Sequence, residues 1–340
     1  MRDKILGCIV GGAIGDALGY PIEFHSYNNI ISHFGENGVS DYAFNKGLIS
    51  DDTQMTLFTI EGLLKENNGK YPFEEIDICK RNIYESYKNW YLTQITPFSK
   101  RKSFDRYDED SILLNTEDLF DLRAPGNTCL SALGSGKMGG IKEPINNSKG
   151  CGGIMRVAPV GLYFRPSIYN SHFVATLAGE VSAITHGHLL GNIPSSMIVT
   201  MLYKICYEDN SLPQSIVESL KVVKEVYGHS SDMDYFEKLI KKAILLSNSS
   251  NSDIENIEIL GGGWVAEETL AIAIYCALKY ENDFEKAVLT SVNHSGDSDS
   301  TGAVTGNIMG VLLGYDKIPM KYVEKLEMRT LIEEMALKLV

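Results

Sequence analysis

Gly7-Cys8-Ile9-Val10-Gly11-Gly12-Ala13-Ile14-Gly15-Asp16-Ala17-Leu18-Gly19 near one end of the chain and Gly302-Ala303-Val304-Thr305-Gly306-Asn307-Ile308-Met309-Gly310-Val311-Leu312-Leu313-Gly314 near the other share one habit: glycine at every fourth position. Residues four apart lie on one face of an α-helix, and each interior glycine costs a helix roughly 1 kcal/mol relative to alanine. Four per helix are tolerated when that face packs very closely against something. In a membrane the pattern would join two spanning helices, but Asp16 and Asn307 interrupt these segments. The spacing predicts two central buried helices, with packing against each other one arrangement open to them; the alternative is an accident of composition.

Outward from these two segments, helical periodicity continues. Residues 53–65 carry Met55, Phe58, Leu63 and Leu64 at helical spacings, and residues 173–184, 195–207, 214–227, 234–246, 264–280 and 320–340 read similarly. Alternating apolar runs are scarce. The expected class is all-α, a compact multi-helix fold. The polar breaks at Asn67-Asn68-Gly69, Lys100 to Asp110, Pro144 to Gly150 and Ser247 to Asn256 lack the length and composition of interdomain linkers. Residues 1–340 therefore read as a single domain.

With 340 residues, 44% of them apolar and 22% charged, the chain has enough material for a sizeable core. A formal net charge of −13 argues against nucleic acid and anionic membranes as partners, because both require basic surfaces. A phosphate-bearing ligand would need local positive charge from metal ions, helix N-termini or a few arginines. The six cysteines, Cys8, Cys79, Cys129, Cys151, Cys206 and Cys276, are scattered without a CxxC pair, as expected of reduced thiols in a cytoplasmic protein. The first residues faintly resemble a signal peptide, but the run is rich in glycine, meets Asp16 and continues into a patterned segment ending at Glu23-Phe24. No other stretch reads as long and apolar enough to span a membrane, which takes about 20 residues.

Two acidic clusters stand immediately before helical runs. In Ser50-Asp51-Asp52-Thr53 the serine suits an N-cap and the acids suit the positive end of the helix dipole, so capping alone explains them. His294-Ser295-Gly296-Asp297-Ser298-Asp299-Ser300-Thr301 admits the same explanation less comfortably. Its acids precede a glycine-laddered core helix, and unpartnered buried carboxylates are unfavourable. Hard divalent cations resolve that problem, since they prefer carboxylate and hydroxyl oxygens. An EF-hand is excluded: Gly302 fits loop position six, but position twelve is Ile308.

Lys149-Gly150-Cys151-Gly152-Gly153-Ile154-Met155-Arg156 is a glycine-rich turn entering an apolar stretch, and such turns present backbone N–H groups to anionic oxygens. Its lysine and arginine favour an anion further. In Thr185-His186-Gly187-His188 the two histidines, at i and i+2, do not share a helix face, so a ligand-contacting or helix-ending role is expected rather than a metal site. Gly261-Gly262-Gly263-Trp264 opens another helix, and its indole either lines a pocket or packs.

Taken in order, these segments resemble the ADP-ribosylglycohydrolase family. The resemblance rests on Gly11 to Gly19 with Glu23-Phe24, Ser50 to Thr56, Arg123-Ala124-Pro125-Gly126, Gly150 to Arg156, Thr185-His186, Gly263 to Glu268 and Gly296 to Gly302. It implies a compact all-α fold around a central centre of two divalent ions, Mg²⁺ or Mn²⁺. Carried over by position, it implies that Ser50, Asp51 and Asp52 hold one ion and Asp297 and Ser300 the other, with Asp299 bridging. It places Glu23 beside the scissile ribose, Gly150, Cys151, Gly152, Gly153 and Met155 around the diphosphate and ribose, and His186 at the adenosine end. Many members carry asparagine where this chain has Cys151, so at that position only the backbone contact is expected to survive.

The implied reaction is hydrolysis at the anomeric carbon of ADP-ribose through an oxocarbenium-like state. Divalent ions would orient the ribose hydroxyls and neutralise phosphate, with Asp52, Asp299 or Glu23 handling protons. The Asp297–Thr301 and Gly263–Glu268 segments look closer to the arginine-directed branch, and Trp264 is expected to stack on a guanidinium. The expected partners are an ADP-ribosylated protein or ADP-ribose itself, and a cognate ADP-ribosyltransferase. The competing expectations are a non-catalytic ADP-ribose binder or toxin-blocking immunity protein, and a hydrolase of another ADP-ribose linkage (serine, base or O-acetyl-ADP-ribose).

Overall fold

The two glycine ladders meet each other, in opposite directions. In the computed structural model, which describes residues 1–65, 75–103 and 107–340, Gly7 lies against Gly310, Gly11 against Gly306, Gly15 against Gly302, and Gly19 against Ser298. A Cβ built on Gly11 would lie 2.5 Å from the Gly306 carbonyl oxygen, and the other rungs are equally closed. Glycine is required here because backbone touches backbone. Gly314 plays a different part: it is the C-cap of its helix, at φ +87°.

Sixteen α-helices run through the described residues. The N-terminal group is α1 (Arg2–Gly19), α2 (Tyr27–Phe34), α3 (Asp51–Leu64) and α4 (Glu75–Ile95). Next come α5 (Asn127–Gly134), α6 (Ala158–Tyr163), α7 (Ser171–Ala183) and α8 (Leu189–Tyr207). They are followed by α9 (Leu212–Tyr227), α10 (Ser231–Ser247), α11 (Asp253–Leu260) and α12 (Ala266–Lys279). The chain closes with α13 (Phe284–Val292), α14 (Ser298–Leu313), α15 (Met320–Lys325) and α16 (Arg329–Leu337). The described residues form no strand, only isolated bridges between Gly47 and Leu326 and between Gly150 and Val265. The all-α expectation holds, and one contiguous apolar core joins the helices.

The α1–α14 pair is the axis. α3 packs on α4, α7 and α9 on α8, and α10, α13 and α14 around α12. α8 is buried along nearly its whole length. It and α1 are each long and apolar enough to cross a membrane, which corrects the expectation that only the N-terminal run approached that length; both are buried inside the fold.

Two further expectations need correction. α4 was not anticipated, although Cys79, Ile83, Tyr87 and Trp90 recur at helical spacing along its buried face. The expected helix over 320–340 is broken between α15 and α16. There the buried Glu327 turns inward to accept from the Ile49 N–H (3.1 Å) and from Arg123 (3.2 Å), and Met328 takes the left-handed conformation at φ +50°. The polar break at Asn67-Asn68-Gly69 and part of the Lys100–Asp110 break lie outside the described residues.

Candidate active site

The α1–α14 axis carries the site at one of its ends. Asp16, in the last turn of α1 and wholly buried, accepts from the Ser50 N–H (3.0 Å), the Thr53 N–H (3.1 Å) and the Thr53 hydroxyl. These bonds dock the first turn of α3 on α1. Ser50 caps α3, accepting from the Asp52 N–H at 3.2 Å. Asp51 donates its N–H to the Arg123 carbonyl (3.0 Å) and accepts from the Gly126 N–H (3.0 Å). Asp297 caps α14 in the same way, accepting from the Ser300 N–H at 3.2 Å, while Asp299 accepts from that N–H at 2.9 Å. Helix capping and site formation are thus two roles of the same residues.

Between the two helix N-termini lies a cavity of about 280 Å³. Asp51, Asp52, Asp297, Asp299, Ser300 and Glu23 form its acidic end, and Gly150, Cys151, Gly152, Met155, His186 and Trp264 line the remainder. Ser50 and Gly153 are not on the wall. The Ser50 hydroxyl is engaged in capping, and Gly153 faces Ser182 of α7, whose hydroxyl a side chain there would strike. Phe24 and the segment from Ala124 to Cys129 complete the cavity. Residues 124–126 stood in the sequence pattern without a role, and nothing in the sequence marked Asn127, Thr128 or Cys129 for this wall.

The acidic end has a charge problem. Burial pushes Asp51, Asp52 and Asp299 well above the usual carboxylate range, and their mutual charges push them further. Burial likewise raises Asp16 and Asp297 to about 6 and Glu23 to about 9, Glu23 with added repulsion from Asp299 and Asp51. The cations nearest in sequence are engaged elsewhere, Arg123 with Asp121 and Glu327 and Lys149 with Glu267. Asp52 Oδ2 and Glu23 Oε2 are buried without any hydrogen-bond partner. Glu23, Asp297 and Asp299 each offer an oxygen within 4.8 Å of the others. Orphaned buried oxygens in a hard-donor set fit divalent cations, and this grouping makes Glu23 as suited to ligation as to proton transfer.

The glycine-rich segment differs from expectation in its details. Lys149 and Arg156 do not reach the cavity: Lys149 is paired with Glu267, and Arg156 is wholly buried with its guanidinium 4.3 Å from the Tyr87 ring. Cys151 is held through both its backbone and its side chain. Its N–H is taken by the Trp264 carbonyl (3.2 Å), whereas its thiol donates to Asp297 Oδ2 at 2.8 Å. The two histidines of Thr185-His186-Gly187-His188 take different places, and the one at a helix terminus begins a helix rather than ending one. His188 caps α8 through Nδ1, accepting from the Leu190 N–H at 3.0 Å, and His186 turns to the cavity. Trp264 stands half-exposed at the rim, stacked on the exposed Phe24 with ring centroids 5.3 Å apart and planes at 22°.

Comparison with known proteins agrees with this architecture. The sequence model of ADP-ribosylglycohydrolase matches residues 1–340. The mouse ADP-ribosylhydrolase ARH3 is 24% identical over 357 residues, covering 95% of this chain and 87% of its own. The ADP-ribosylarginine hydrolase Tri1 of Serratia proteamaculans is 26% identical, covering 98% and 78%. The ADP-ribosyl-[dinitrogen reductase] glycohydrolase of Rhodospirillum rubrum is 22% identical, covering 97% and 92%. Among solved structures, an ADP-ribosylglycohydrolase-related protein superposes with a TM-score of 0.63 at 20% identity, covering 99% of this chain and 97% of that one.

Proposed function

From the premise that the chain belongs to the ADP-ribosylglycohydrolase family, we propose that it releases single ADP-ribose units from arginine side chains of proteins, using two divalent ions, Mg²⁺ or Mn²⁺. Its activity class, hydrolysis of an ADP-ribosyl glycosidic bond, comes with the family. The finer assignment concerns the acceptor. It is carried by Trp264, a half-exposed indole at the rim of the cavity that the acids line. A planar cation favours such an aromatic face. Relatives named as ADP-ribosylarginine hydrolases, 26% and 23% identical, support the same acceptor.

The chain's residues divide the work. Asp51, Asp52, Asp297 and Asp299, with Ser300, would hold the ions, while Ser50, whose hydroxyl caps α3, fixes the turn that presents Asp51 and Asp52. Bound there, the ions supply the positive charge that orients ribose hydroxyls and balances diphosphate. Gly150, Cys151, Gly152, Met155 and His186, which line the cavity, bind the remainder of the ligand. Glu23 faces the same cavity with Oε2 unpaired, and burial raises its carboxyl; it is the carboxyl assigned to handle the proton at the leaving nitrogen. The acid set is complete, which favours an enzyme over a non-catalytic binder. A cytoplasmic setting, where an ADP-ribosyltransferase would supply the substrate, completes the reading.

A hydrolysis panel tests it: mono-ADP-ribosylated arginine, ADP-ribosylated serine and O-acetyl-ADP-ribose, each with and without EDTA. Preferential, EDTA-sensitive release from arginine is expected. Preferential release from either of the others, or turnover indifferent to EDTA, overturns it.

A further inference from the structure

Arg156 is wholly buried and has no carboxylate partner among the described residues. Its Nη1 faces the sulfurs of Met55 and Cys129 at 3.4 Å, its Nε is unpartnered, and its shortest contact runs from Nη2 to Thr185 Oγ1 at 2.6 Å. An arginine so placed stays charged, and burying its charge without an acid is unfavourable. Nη2 also donates to the Val181 carbonyl at 3.4 Å, and its contact with Thr185 leads to the cavity. Thr185 Oγ1 lies 2.8 Å from His186 Nδ1, and the opposite edge of that imidazole faces the glycine-rich loop: a Cβ on Gly150 or Gly152 would come within 3.3 Å of Nε2.

We propose that Arg156 is a positioning residue which, through Thr185, holds His186 in the neutral tautomer that presents Nε2–H to an oxygen of bound ADP-ribose; this rests on the ADP-ribose reading of the cavity. Guanidinium only donates, so Thr185 Oγ1 accepts from Arg156 and directs its single hydroxyl proton elsewhere. His186 Nδ1 is the stronger acceptor in reach, the Cys129 sulfur the weaker. An Nδ1 that accepts leaves the ring proton on Nε2. Burial, with the nearby charge of Arg156, pushes the pKa of His186 down to about 3, so the ring stays neutral in the working range. The result is a fixed donor in an otherwise acceptor-rich cavity, oriented by a cation the ligand never touches.

The test uses the full chain with ¹⁵N-labelled histidine, long-range ¹H–¹⁵N correlation for the tautomer and calorimetry with ADP-ribose for affinity. In the unmodified protein Nδ1 is expected to be unprotonated and Nε2 protonated. Thr185→Val is expected to lose the single tautomer and raise Kd for ADP-ribose about tenfold, the weight of roughly one hydrogen bond. Thr185→Ser, which keeps the hydroxyl, retains both properties. Arg156→Met is expected to repeat the Thr185→Val signature; if that variant does not fold, the Thr185 pair decides. An Nδ1-protonated ring in the unmodified protein, or a Thr185→Val or folded Arg156→Met protein with unchanged tautomer and affinity, overturns the relay while ADP-ribose still binds. The expected tautomer with no binding of ADP-ribose by any of these proteins instead counts against the ADP-ribose reading and the donor's assigned acceptor.

Discussion

The middle of α14 and its first turn solve opposite packing problems. From Gly302 to Gly310 the helix meets α1 backbone to backbone, with no room for a methyl group. One turn earlier, Asp297 and Asp299 face Glu23 and the start of α3 across a cavity, where Glu23 Oε2 and Asp52 Oδ2 are buried and unsatisfied. The first region is closed to the limit of contact, and the second is held open around mutually repelling groups. The rungs nearest the cavity, Gly15 with Gly302 and Gly19 with Ser298, fix how far the end of α1 stands from the first turn of α14. The dry ladder thus sets the spacing of the acids, and its rigidity is what keeps carboxylates together that would otherwise move apart.

Neutralising an acid should separate the two regions most sharply. Asp299→Asn is expected to lower turnover about a thousandfold by removing a carboxylate from the proposed ion site. In EDTA its melting temperature should equal or exceed that of the unmodified protein, because a neutral amide relieves repulsion at a buried site. Turnover assays and thermal unfolding check both halves. Gly15→Ala attacks the other region. A methyl group forced against the Gly302 carbonyl is expected to destabilise by about 3 kcal/mol, with no relief from divalent ions, as read by denaturant titration.

A subtler separation comes from pH. Glu23 rises from 4.5 to about 9 on folding, chiefly through burial, and Asp16 and Asp297 rise from 3.8 to about 6. The folded state therefore binds protons that the unfolded state releases. In EDTA this contribution is fully present below pH 3.8 and is lost as pH rises to about 9. With Mg²⁺ present the loss should shrink, because the cation takes the place of the protons. Denaturant midpoints across that window, with and without Mg²⁺, measure the difference. The smallest effect is expected at the rim: Trp264→Ala should raise KM for ADP-ribosyl-arginine about tenfold and leave stability unchanged.

How much of this was legible in the sequence depended on periodicity. The glycine ladder is a regular repeat, so the two helices and their burial could be read directly. The acid clusters were legible as residues but ambiguous in role, since Ser50 and Asp297 are true caps as well as neighbours of the cavity. α4 was missed because tyrosines, lysines and asparagines dilute its apolar stripe. Asp16 read only as an interruption of an apolar run, yet it anchors α3 from 34 residues away. The Arg156–Thr185–His186 chain rests on a contact between residues 29 apart and depends on side-chain direction, which no local pattern encodes.

The acids between α3 and α14 are most directly tested as a cation centre by titrating EDTA-stripped protein with Mn²⁺ under calorimetry in buffers of different ionisation enthalpy. Binding of two ions per chain with release of protons is expected, and Asp299→Asn should weaken it at least about tenfold. Absence of binding, or an isotherm that Asp299→Asn leaves unchanged, would contradict a divalent centre at these residues.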